Sequence, residues 1–128
     1  MLFRSNRPDL AAEARQRSVQ LKAEKYGATT QAERECLEAV FAYERVLSEK
    51  NGRATRASRT WPMIKKHGVL AAVERVVRRP EEAAGYTALR EMGLEEYAFE
   101  AVALRYPDLF SAEAVNRSQT RVNEWKRP

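Results

Sequence analysis

The chain holds one cysteine, one histidine, and five each of glycine and proline in 128 residues. Each scarcity removes a class of function. Cys36 alone cannot close an internal disulfide, so nothing asks for an oxidising compartment and a cytoplasmic location is expected. There is no paired CxxC, no HExxH, and no His or carboxylate cluster at ligand spacing, so neither a metal site nor a cofactor is expected. No glycine-rich phosphate loop is present either. His67 stands beside Lys65 and Lys66, which disfavour its protonation, and no partner at motif spacing makes it a base. Glu95 and Glu96 are adjacent and point to different helix faces, so they form no acid/base pair. The chain is expected not to be an enzyme. No apolar run approaches the ~18 residues of a membrane span, and the opening MLFRSNRPDL lacks the apolar stretch of an export signal. No membrane partner is expected.

What is abundant is Ala, Glu, Arg and Leu, with no sustained strand-like alternation. This composition predicts an all-α fold: a compact single-domain bundle of about five to seven helices, since a chain of this size buries roughly two-thirds of its unfolded surface. Pro8 and Asp9 open a first helix running to Tyr26, with Gly27 as its cap. Its apolar positions (Leu10, Ala14, Val19, Leu21, Tyr26) are sparse, which predicts a peripheral helix or, through its basic residues, an arm against phosphate. Thr30 and Glu33 form a capping box ahead of Cys36, Val40, Tyr43 and Leu47, a four-three stripe that predicts the central core helix, ended at Asn51 and Gly52. Residues 1–52 thus supply two longer helices.

The segment 53–80 is the basic part of the chain. Arg53, Arg56 and Arg59 are spaced by three, so either a helical turn or an extended loop would project three guanidinium groups in a row. Trp61 and Pro62 begin a short helix that Gly68 bends, with Trp61 as an anchor on the core or a platform for a base. Val69, Leu70, Val73, Val76 and Val77 form the apolar face of the next helix, and Arg75, Arg78 and Arg79 lie on its other side. Pro80 stops it. Beyond lie an acidic helical hairpin and a C-terminal helix in 81–128. Glu81 to Ala84 carry a single-turn signal ended by Gly85, and Thr87 is the expected N-cap of a short helix that Gly93 stops. LEEYAFEAVALRY is expected to be one buried helix that leaves Glu95, Glu96, Glu100 and Arg105 for water. Ser111 caps a last helix whose Val115, Ser118, Val122 and Trp125 dock it on the body. KKHG before VLAAVERVV and REMG before LEEYAFEAV echo each other, which suggests two stacked helix-Gly-helix hairpins.

The net charge of +5 conceals opposed blocks. Residues 51–80 carry eight basic groups and one acidic group, whereas residues 81–112 carry two basic and seven acidic. Two partner classes follow. The basic block predicts a small nucleic-acid-binding protein that contacts the phosphate backbone of DNA or RNA through segment 53–79, using Arg53, Arg56, Arg59, Lys65, Lys66, Arg75, Arg78 and Arg79. The alternative, from the complementary blocks, is a protein-interaction or assembly module, with a protein partner or a second copy of the chain. Within one chain, Arg75, Arg78 and Arg79 could instead pair with Glu81, Glu82, Glu95 or Glu96. Base readout by a helix-turn-helix is disfavoured: around Gly68, bulky Ile64 falls where a small residue is wanted and Glu74 where an apolar one is wanted. Around Gly93 the spacing is better, but Glu95, Glu96 and Glu100 would oppose phosphate.

Overall fold

The computed structural model describes residues 7–79 and 86–126, with side chains from Leu10 onward. These residues form seven α-helices and no strand: α1 (Arg7–Tyr26), α2 (Gln31–Asn51), α3 (Thr60–His67), α4 (Val69–Arg78), α5 (Tyr86–Glu91), α6 (Phe99–Arg105) and α7 (Ala112–Trp125). The all-α bundle expected from composition is what the chain forms. The expected stop at Pro80 and the single-turn signal at Glu81–Ala84 lie outside the described residues.

Helix α2 is the centre of the bundle, and α1, α4, α5 and α6 all pack against it. Thr30 starts it by accepting the Glu33 backbone N–H at 3.1 Å. The reciprocal half of the capping box is displaced by one residue, because the Glu33 carboxylate takes the backbone N–H and hydroxyl of Thr29. Those bonds hold the Glu33 carboxyl below its ordinary pKa. Cys36 and Val40 are fully buried as the stripe predicts, but Tyr43 is 36% exposed. The stripe drifts because 3.6 residues per turn carries a four-three pattern slowly around the helix.

Three apolar clusters surround α2. Cys36 and Ala39 pack with Val73 and Val77 of α4, Val102 and Ala103 of α6, and Ala114 of α7. Val40 meets Ala57, Ile64 and Ala72. Bulky Ile64 is thus accommodated by a small partner on α4. On the third side, Ala42 and Val46 contact Val19 of α1 and Leu89, Met92, Leu94 and Ala98 around the α5–α6 connection. Burial pushes the Cys36 thiol up to about 12, reinforced by the Glu35 and Glu33 carboxylates. Cys36 is therefore expected to react with a thiol reagent no faster than the bundle opens. Labelling at the same rate as a free thiol in native buffer would contradict this packing.

Two sequence expectations fail in the second half. Thr87 lies within α5, which begins one residue earlier. LEEYAFEAVALRY is not one helix: a 3-10 turn at Glu95–Tyr97 precedes α6, and Ala98 between them is extended at φ −61° and ψ 146°. The break turns Glu100 inward. The two hairpins do lie together, with α4 packed against α6 and both against α7. Trp125 docks α7 by stacking on Tyr86, with ring centroids 4.0 Å apart. No helix among the described residues is long and apolar enough to cross a membrane.

Candidate nucleic-acid interface

The segment joining α2 to α3 is held from below by one carboxylate. Glu44, buried in α2, accepts hydrogen bonds from the Ala57 backbone N–H at 2.8 Å, from Arg56 Nε at 3.1 Å, and from the Trp61 indole N–H. Ser48 adds a bond from the Thr55 backbone N–H at 2.8 Å. These partners fix an irregular segment that has no ladder of its own. Trp61 is consequently an anchor rather than a platform: Tyr26 stacks on it at 5.7 Å, Phe41 tilts against it at 5.4 Å, and the Arg56 guanidinium lies 4.9 Å from its ring centre.

This arrangement separates the eight basic residues singled out from the sequence. Arg53 and Arg59 project from the loop, Lys65 and Lys66 from the last turn of α3, and Arg75 from α4, all exposed. None of these five forms an ion pair with a described residue. Arg56 differs, because its guanidinium turns back to Glu44, so the expected row of three arginines is broken at its middle member. Arg78 also departs from expectation, lying 3.6 Å from Glu74 and 3.3 Å from Glu113. Arg79 places its guanidinium 3.9 Å from the sulfur of Met63, and its carbonyl accepts a bond from Arg121.

No described ion pair joins the basic segment to an acid of 86–112. The pairing of Arg75, Arg78 and Arg79 with Glu95 or Glu96 does not occur, and Glu81 and Glu82 lie outside the described residues. The cations at the α3–α4 bend instead act on one another. His67 titrates below its ordinary range, through partial desolvation first and then through the positive charges of Arg75 and Lys66. Among the described residues no side chain caps the start of α4, where Gly68 at φ 92° and ψ 162° makes the bend.

One buried pair was not legible as such. Glu100, 5% exposed, accepts a bond from Arg121 at 2.8 Å, joining α6 to α7. The helical period assigned Glu100 to water, whereas the break at Ala98 rotates it inward. Arg121 offered a signal, since it follows Ser118 by three and precedes Trp125 by four, on the side of α7 that faces the bundle. An arginine there requires an acidic partner. No protein-family model, curated protein or solved structure matches the chain.

Proposed function

We propose that this protein binds nucleic acid without catalysis, contacting phosphates through its basic segment with little or no base-edge readout. The observation that carries this reading is the set of five exposed cations, Arg53, Arg59, Lys65, Lys66 and Arg75, with no acidic partner among the described residues. Exposed, unpaired cations retain their full Coulomb attraction for a polyanion and release its counterions on contact. The uncapped start of α4 adds backbone dipoles of the same sign. Arg78 contributes less, because Glu74 and Glu113 already share its charge. Arg56 has the same limitation at Glu44.

Fluorescence anisotropy with short labelled oligonucleotides over a range of salt is the test. Binding is expected to weaken steeply as salt rises, and Lys65→Gln, Lys66→Gln and Arg75→Gln should each lower the log-log salt slope by about 1. Circular dichroism should be unchanged in these variants, whose side chains pair with no acid among the described residues. Absence of binding at low salt, or a salt slope indifferent to all three changes, would sink the proposal. Light scattering on the same sample addresses assembly: unpaired basic and acidic groups can also meet between chains, and that reading predicts self-association that salt weakens.

A further inference from the structure

A cavity of about 670 Å³ opens between the α2–α3 loop, α4, the α5–α6 connection and α7. Its lining combines two chemistries. Tyr43, Tyr86, Phe99 and Trp125 supply aromatic surface, and Arg59 and Arg79 supply positive charge at its walls. The acid lining it, Glu100, is already engaged by Arg121 at 2.8 Å. Tyr43 is 36% exposed and leans on Phe99, with centroids 5.9 Å apart and planes tilted by 59°. Arg59 and Arg79 both belong to the basic segment, and Arg59 is one of the five exposed cations assigned to phosphate, so the cavity adjoins that set.

Building on the phosphate-binding function above, we propose that the cavity receives a nucleobase unstacked from a single strand, with the flanking phosphates on Arg59 and Arg79. Size, aromatic surface and charge agree on that occupant. Pockets of about 300–1,000 Å³ enclose ligands of nucleotide size. An aromatic ring attracts any base through its π-face and demands no particular base edge. A purely apolar ligand would leave the arginines without a role, and an inorganic anion would leave the aromatic rings without one. A base inside a duplex cannot reach the rings without leaving the stack, so single strands are the preferred substrate.

The test compares a labelled single strand with an abasic strand of equal length, for the wild-type protein and for Tyr43→Ala and Tyr43→Phe. Tyr43 sits at the rim, and a thermal melt confirms that each variant folds. The wild-type protein should bind the strand with bases roughly tenfold more tightly than the abasic strand. Tyr43→Ala should remove most of that difference while leaving abasic binding as it was, and Tyr43→Phe should restore it. Equal affinity for both strands, or a preference that survives Tyr43→Ala, overturns the base pocket and leaves phosphate binding standing. If neither strand binds at low salt, both proposals fall together.

Discussion

Replacing Glu44 by alanine is expected to lower the unfolding free energy by about 3 kcal/mol, a fall of about 10 °C in melting temperature for a domain of this size. The carboxylate collects three donors from the α2–α3 connection: the backbone N–H of Ala57, the Arg56 guanidinium and the Trp61 indole. The Ala57 backbone N–H is buried, so alanine strands it without water or another acceptor; a stranded buried donor costs roughly 1–3 kcal/mol. The Trp61 indole, half-buried between Tyr26 and Phe41, loses its acceptor as well. Arg56 adds little, because its side chain is 71% exposed and solvent screens the pair. Glu44→Gln keeps a carbonyl oxygen in place and should therefore cost about 1 kcal/mol. Urea unfolding of the three proteins measures the series. Wild-type stability in Glu44→Ala would show that the connection is held by something other than this carboxylate.

That hub marks where sequence reasoning reached its limit. The helices were legible because their signals are local: Thr30 caps α2, Ser111 caps α7, and Gly68 bends α3 into α4 within a few residues of the elements they govern. The apolar faces followed from period alone. The basic segment was equally plain as a run of charge, but which of its cations are paired with an acid depends on contacts made across the fold. Arg56 looked equivalent to Arg53 and Arg59 until Glu44, twelve residues earlier, was seen to hold it. Arg78 looked equivalent to Arg75 until α7 brought Glu113 beside it. Glu100 was misassigned for a different reason: a single extended residue, Ala98, resets the phase of the helix, and no breaker residue announces it. The aromatic cavity was hidden because its walls come from distant parts of the chain, and Tyr43 belonged by spacing to the core stripe.

Gly93→Ala is expected to destabilise the protein by about 3 kcal/mol, and the reason lies in how α1 docks. The apolar residues that sequence reading assigned to α1 are mostly exposed, Leu10, Leu21 and Tyr26 among them. Its docking face is Ala12, Gln16, Val19 and Ala23, a four-three stripe disguised by small and amide side chains. Gln16 donates to the Gly93 carbonyl at 2.8 Å, and Gln20 to the Tyr97 hydroxyl at 2.8 Å. This polar docking brings the helix so close that a Cβ at Gly93 would lie 2.4 Å from the Cβ of Ala12. Gly93 also has φ +74°, a conformation that an L side chain adopts at a cost of about 1–2 kcal/mol. The two penalties can be separated by a double-mutant cycle with Ala12→Gly. That change alone should cost about 1 kcal/mol in helix propensity. Combined with Gly93→Ala it relieves the collision but not the backbone strain, so the double variant should be about 1–2 kcal/mol more stable than additivity requires. Strict additivity would mean that α1 does not rest on the Gly93 turn. A favourable coupling would establish that a helix with almost no conventional apolar stripe is held by close backbone approach and amide hydrogen bonds.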